Sequence, residues 1–394
     1  MESLASRSAG MSARGPLAGV RVLDFSTLLP GPLATLILAE AGAEVIKIER
    51  PGGEELRGYE PAFGNDSAQF ALLNGGKRSV VFDAKAPDAL DRLKVLLEGA
   101  DVLVEQFRPG VMARLGLGYD HVHAINSRLV YCSINGFGSS GARAGLAAHD
   151  LNYVAESGLL ALVAGPGGTP NLPPALIADI GGGALPAVIN ILLALRERDA
   201  TGVGRQVEIA MSEAVLTFQP WALLTHALSG AVPAPNTDRL NGGSPRYQVY
   251  RAADGRHLAV APLEQRFWDE FCDAIDLPPT LRDSGRDPAA TIGAVAAIVA
   301  TRTADAWMVR FAGRDVCCSI VRDVGEARAD PVYAERGVFA YQVEAGGETI
   351  SALPLPLDPG LRDGVHVKRA PALGEANELL AAQTFDARTR KDGS

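Results

Sequence analysis

His149 and Asp179 stand thirty residues apart in the chain, and Asp150 directly follows the histidine. An imidazole with an ordinary pKa of ~6.5 serves as acid or base near neutrality. An aspartate, at ~3.9 in water, must be raised by burial or a neighbouring negative charge before it can donate a proton at that pH. Each residue also has an ordinary structural reading. Asp179 opens a long apolar segment and suits a helix N-cap, where the helix dipole would lower its pKa. His149 suits a capping region, Asp150 an acidic first turn, and Glu264 the exposed start of another helix. A second set is cationic: Arg50, Lys85, Arg108 and Arg114 each follow an expected strand, the place where open α/β sheets bind ligands. Singly, such arginines are solvated; clustered at one sheet edge, they favour an anionic ligand. Metal chemistry is not expected, because Cys132, Cys272, Cys317 and Cys318 form no CxxC and no Cys/His ligand spacing.

The elements that must position these residues alternate. VRVLDFS (20–26) reads as a strand, and the Pro-Gly-Pro at 30–32 turns the chain into an apolar helix ending at Gly42. AEVIKIE (43–49) is a second strand, so the stretch is a right-handed βαβ unit with parallel strands. Strands at 78–84, 100–107 and 129–138, with helices at 87–98 and 110–116, continue the pattern into an α/β domain. No GxGxxG follows the first strand, so the half-fold does not imply NAD. Residues 149–163 and 178–204 read as helices. The Gly/Ala run at 181–184 suits either a bulky acyl chain or close helix packing. Beyond about 225 come a Gly/Pro/Asn loop, a hairpin-like 248–264, helices near 265–275, 289–300 and 303–313, and a return towards strands over 315–345. The expected division is a flexible leader (1–15), a large Rossmann-like domain (16–224), a small α+β domain (225–335), and a return to the large domain with a tail (336–394).

The chain has 394 residues and a formal net charge of −9. That balance argues against a broad nucleic-acid surface, which needs clustered cations. With 47% apolar and 21% charged residues it is a folded protein, not a disordered one. No secretory h-region opens the sequence, and apolar stretches such as 183–195 read as too short or interrupted to span a bilayer, so a cytoplasmic protein is expected.

Eight segments in order carry a resemblance: 22–52 (VLDFSTLLPGPLATLILAEAGAEVIKIERPG), 74–85, 107–120, 131–138, HDLNYVAESG (149–158), ADIGGG (178–183), 201–214 and 254–268. Together they resemble the family III CoA-transferase superfamily, nearest its alpha-methylacyl-CoA racemase branch. The resemblance implies an interlocked homodimer, with the active site where one subunit's large domain meets the other's small domain. It makes His149 and Asp179 the acid/base pair on opposite faces of an enolate, with Glu264 supporting the histidine and Asp150 and Tyr153 in the matched helix start. It places CoA, as substrate rather than resident cofactor, on Arg50, Phe82, Ala84, Lys85, Arg108 and Arg114, with Ala148 and Tyr153 adjoining. Two positions depart from the branch: Ala148 replaces the usual Gly before the histidine, and Ala175 replaces an Asn four residues before the aspartate. The resemblance implies inversion of a 2-methylacyl-CoA-type thioester. The competing transferase would use Asp179 as a nucleophile, and a non-catalytic CoA binder is the third reading. Residue 149 separates the first two, since transferases of the superfamily generally lack His there.

Overall fold

The computed structural model describes residues 15–64 and 66–380; the expected leader, apart from Gly15, and the last fourteen residues lie outside that range. The chain divides into two compact units. The first holds the residues up to 154, 175–217 and 331 onward; the second holds 155–174 and 218–330.

The first unit is built on six strands: β1 (Arg21–Asp24), β2 (Glu44–Glu49), β3 (Arg78–Val81), β4 (Val102–Glu105), β5 (Val130–Asn135) and β6 (Gln206–Ala210). Every pairing is parallel and the spatial order is 3-2-1-4-5-6. That is the doubly wound order, whose direction reverses between β1 and β4 and leaves a crevice at their carboxyl ends. Val22, Leu23, Ile46, Val80, Leu103 and Val130 are fully buried, as strands covered on both faces require. Helix α1 (Pro30–Glu40) is buried at all of its positions and runs through the core. The segment after 331 returns to this unit. Asn377 Oδ1 accepts from Val81 N–H at 2.8 Å, and the buried Glu40 pairs with Lys368 at 3.0 Å.

Two expected helices are each built from two pieces. Residues 149–163 form a helix over Asp150–Glu156, then Gly158 (φ +84°) breaks it before a single 3₁₀ turn. Residues 178–204 form a π-helix over Ile177–Ala184 followed by an α-helix over Leu185–Thr201. Gly182 and Gly183 are buried by close packing: a Cβ at Gly182 would lie 2.8 Å from the Met211 carbonyl oxygen, and one at Gly183 2.9 Å from Pro30 Cβ. Helix packing therefore accounts for these two glycines. The joined helix runs for 25 residues, within three residues of the expected bounds, with a mean hydropathy of 1.7 in its most apolar stretch. It is packed in the fold, with Ala187, Ile191, Ala194 and Leu195 buried and Arg198 paired to Asp101 at 2.8 Å.

The second unit has an antiparallel sheet of Gln248–Arg251, His257–Val260 and Cys318–Ile320. Its core gathers Trp268, Phe271, Trp307, Phe311, Leu258 and Val299 from the sheet and the helices Gln265–Ala274, Pro288–Val299 and Ala304–Phe311. A helix over Pro220–Ser229, not expected from the sequence, starts on a proline at its first position and ends at Gly230 (φ +70°). Between 315 and 345 the chain makes the one strand at 318–320 and two short helices before strand Gln342–Ala345.

Candidate active site

A cavity of about 290 Å³ opens at the carboxyl ends of β1, β4 and β5 in the first unit, at the crevice the strand order creates. His149, Tyr153 and Asp179 line it, with Thr27 and Leu28 from the loop after β1, Gln106 and Arg108 after β4, Gly136 and Phe137 after β5, and Met211.

His149 is exposed and immediately precedes the helix Asp150–Glu156. Its N–H donates to Asn152 Oδ1 at 3.0 Å and its carbonyl accepts from Asn152 N–H at 2.8 Å, so the backbone is fixed while the imidazole faces the cavity. Tyr153 donates its hydroxyl to the Ala148 carbonyl at 2.9 Å. Its ring lies against Gly136, where a Cβ would come within 2.5 Å, and meets Phe137 edge-on at 5.2 Å.

Asp179 is not an N-cap. It lies in the first turn of the π-helix, whose cap residue is Leu176 and makes no side-chain bond. The capping is done from elsewhere: the buried Asp150 carboxylate accepts the N–H groups of Ala178 and Asp179 at 2.7 and 2.9 Å. The Asp150 carboxylate is thus fixed at the start of this helix, and Asp179 is left beside its negative charge. Burial and the Asp150 carboxylate push its pKa up to about 6, while His149 pulls the other way. Burial, Asp179 and Asp150 likewise raise the Tyr153 phenol. His149 therefore shares one cavity with a carboxylic acid that titrates near 6, an arrangement suited to proton transfer.

The expected CoA residues occupy the same edge of the sheet. Arg50 directly follows β2 and is exposed, its Nε donating to the Gly53 carbonyl at 3.0 Å. Phe82 is buried after β3, while Ala84 and Lys85 are exposed in the loop beyond. Arg108 lines the cavity, and Arg114 is exposed at the end of the short helix Val111–Arg114. These side chains are the available anion donors, because the N-terminus of α1 is closed. Pro30 and Pro32 lack an N–H, Gly31 N–H donates to Gln106 Oε1 at 2.9 Å, and Leu33 N–H to the Leu29 carbonyl at 2.9 Å. A dinucleotide-type pyrophosphate cradle at this helix end is excluded by chemistry, not only by the missing glycine motif.

Glu264 stands in the second unit, exposed, just before the helix Gln265–Ala274. It borders a cavity of about 660 Å³ walled by Leu159, Leu162, Phe218, Trp221 and Leu263. Ala148 lines the His149 cavity, while Ala175 is exposed. The first unit thus brings together His149, Asp150, Tyr153, Ala148, Asp179 and Arg108. Sequence reasoning missed Gln106, Leu28, Phe137 and Asn152. For Gln106 a signal existed, since a helix start with two prolines needs an outside acceptor for only one N–H.

The sequence compares with known proteins over nearly its full length. It is 34% identical to human alpha-methylacyl-CoA racemase across 369 residues, 92% of each chain. It is 32% identical to the acetyl-CoA:oxalate CoA-transferase of Acetobacter aceti across 383 residues, 93% of this chain and 95% of that one. The fold superposes on the crystal structure of Rv3272 from Mycobacterium tuberculosis with a TM-score of 0.80 at 28% identity, covering 93% of this chain and 99% of the other. Residues 17–377 match the family described as CoA-transferase family III, and with the parallel 3-2-1-4-5-6 sheet in place, the chain belongs to that family.

Proposed function

We propose that this enzyme inverts the α-carbon of a 2-methylacyl-CoA-type thioester. The observation that carries the reading is the shared cavity of His149 and Asp179, with the Asp179 pKa near 6. The α-proton of a thioester is acidic because the resulting enolate spreads its charge onto the thioester oxygen. One of the two groups removes that proton and the other returns one to the opposite face. The unprotonated imidazole and the protonated Asp179 serve one direction, and the reverse pair serves the other. No permanently bound cofactor takes part; CoA is carried by the substrate, with its phosphates at Arg50, Lys85, Arg108 and Arg114.

The second reading is CoA transfer, favoured by the comparable identity to an acetyl-CoA:oxalate CoA-transferase. There the Asp179 carboxylate attacks the thioester carbonyl, forming an acyl anhydride and releasing the CoA thiolate; the thiolate attacks the Asp179 carbonyl, leaving a CoA thioester on Asp179 and freeing the donor carboxylate, and an acceptor carboxylate runs the two steps in reverse. Asp179, raised to about 6, can both hold and release a proton near neutrality, which is what the proton-transfer reading asks of it. Incubation of 2-methyldecanoyl-CoA in deuterated water decides the matter. Deuterium at Cα with loss of chirality supports inversion; CoA passing to an added carboxylate without exchange supports transfer.

The working unit in this proposal is a homodimer in which Glu264 of one subunit supports His149 of the other. Large apolar side chains lie open on both units. Ile189 and Leu193 are 57% and 64% exposed in the first, Trp221 and Leu228 59% and 79% in the second. Surfaces of that kind call for a partner, and a second copy of the chain is the proposed one.

A further inference from the structure

Leu28 lines the cavity of His149 and Asp179 in a left-handed conformation, φ +61°. A branched aliphatic residue pays about 1–3 kcal/mol to sit there and stays only when its surroundings impose it. The surroundings are a set of buried charges. Glu54, 5% exposed, accepts the Leu28 N–H on Oε2 at 2.9 Å. Its Oε1 pairs with Lys47 at 2.9 Å, and Lys47, fully buried, donates to the Ser26 carbonyl at 3.0 Å. Asp24 accepts the Ser26 N–H at 2.9 Å, and Gln106 Nε2 donates to the Thr27 carbonyl at 2.5 Å. The path of residues 26–28 is therefore dictated at four backbone groups by side chains. Three of these, Asp24, Lys47 and Glu54, are ionic and sealed from water. Burial works against the Lys47 charge, but Asp24 and Glu54 outweigh it and raise its pKa, so the ammonium persists.

We propose that Glu54, held by Lys47, is a positioning residue for the reaction: by gripping the Leu28 N–H it keeps the loop after β1 in the strained path that forms one wall of the His149–Asp179 cavity. The inference rests on the acyl-CoA reading of that cavity. Buried ion pairs are poor sources of net stability, so a pair spent on one strained residue in a cavity wall is better explained by geometry than by folding. Misplacing a wall by about 1 Å costs up to about 100-fold in rate when it sets the substrate's approach.

Glu54→Asp tests this directly. It keeps the charge beside Lys47 and withdraws the acceptor from Leu28 N–H by about 1.5 Å, one carbon–carbon bond. The expected result is a fall of about tenfold or more in kcat for 2-methyldecanoyl-CoA with a smaller change in KM. Leu28→Gly, which occupies the left-handed region without strain but removes a side chain from the cavity wall, sets the reference kcat for the coupling. In that background Glu54→Asp should add nothing, because the grip has become redundant. The double variant Lys47→Met/Glu54→Leu, which leaves no unpaired member of the pair, should behave as Glu54→Asp does and lose its effect in the Leu28→Gly background. Unchanged kcat in Glu54→Asp, or an equal loss with and without Leu28→Gly, overturns the proposal. Thermal unfolding separates this from failure of the functional reading. If the wild type neither exchanges nor transfers, that reading falls. Coupling between positions 28 and 54 in the melting temperature then decides the grip alone, and its absence overturns the grip as well.

Discussion

One Asp150 carboxylate oxygen accepts two successive backbone N–H groups, those of Ala178 and Asp179, across a sequence gap of 28 and 29 residues. This contact starts the π-helix and sets the electrostatics of Asp179 in one stroke. It places a fixed negative charge beside the second carboxylate, which with burial makes that carboxylate a weaker acid.

Asp150→Asn should retain the capping geometry, since an amide oxygen can accept the same two N–H groups, while deleting the charge. The Asp179 pKa should then fall from about 6 towards the ordinary carboxylate range, by roughly one unit. The pH profile of α-proton exchange reads this as an acidic limb displaced to lower pH. An unmoved limb would mean that Asp150 acts only as a cap.

The raised Asp179 pKa also predicts how stability depends on pH. Above the unfolded value of 3.8 the unfolded chain releases this proton while the folded chain holds it until about 6. Asp179 therefore costs nothing below pH 3.8, and its cost grows as pH rises to about 6 and then levels off. Asp179→Asn should stabilise the protein by about 1–2 kcal/mol at pH 7.5, after discounting for partial exposure, and by nothing near pH 3.5. Urea midpoints at the two pH values measure the difference.

His149→Gln and Asp179→Asn should each abolish inversion yet preserve slow exchange for one enantiomer, a different one in each variant. Chiral analysis of unreacted substrate after incubation in deuterated water checks this. A transferase gives another pattern, with all turnover lost in Asp179→Asn and His149→Gln still transferring CoA.

Arg108→Ala, at the cavity, and Arg50→Ala, at the end of β2, should each weaken CoA binding by about three- to tenfold at low salt. The deficit should shrink as salt rises, because phosphate contacts are screened. Calorimetric titration with CoA at two salt concentrations is sufficient, and unchanged affinity in both variants would remove the phosphates from this sheet edge.

Leu193→Glu should dissociate the proposed dimer and abolish activity together, since Leu193 is 64% exposed on the long helix of the first unit. Sedimentation at micromolar concentration reads the first effect. Full activity from a dilute monomer would rule out a site completed by a partner's Glu264.

The local grammar of the chain was legible in its residues. Strands rich in β-branched residues such as EVIKIE, helices punctuated by Pro-Gly-Pro and Gly42, and the Asp254-Gly255 turn of the second unit's hairpin depend on neighbours a few residues away. The family followed from eight motifs in order, and the positions of His149 and Asp179 came with it. Their acid/base role came with the family as well; what sets the acidity of Asp179 was not legible. Asp179 read equally well as an N-cap with a lowered pKa or as an acid/base group with a raised one, because nothing local reveals that Asp150 caps this helix and lies beside Asp179. Gly182 and Gly183 read equally well as a wall for a bulky acyl chain, because only the approach of Met211 and Pro30 shows what their missing side chains allow. Leu28 gave no signal at all; its left-handed turn is imposed by Glu54, 26 residues on, through Lys47. Periodicity and turn chemistry are short-range properties carried by the sequence. Charge, desolvation and hydrogen-bond satisfaction act through space, and only the tertiary structure decides which groups come close enough to exert them.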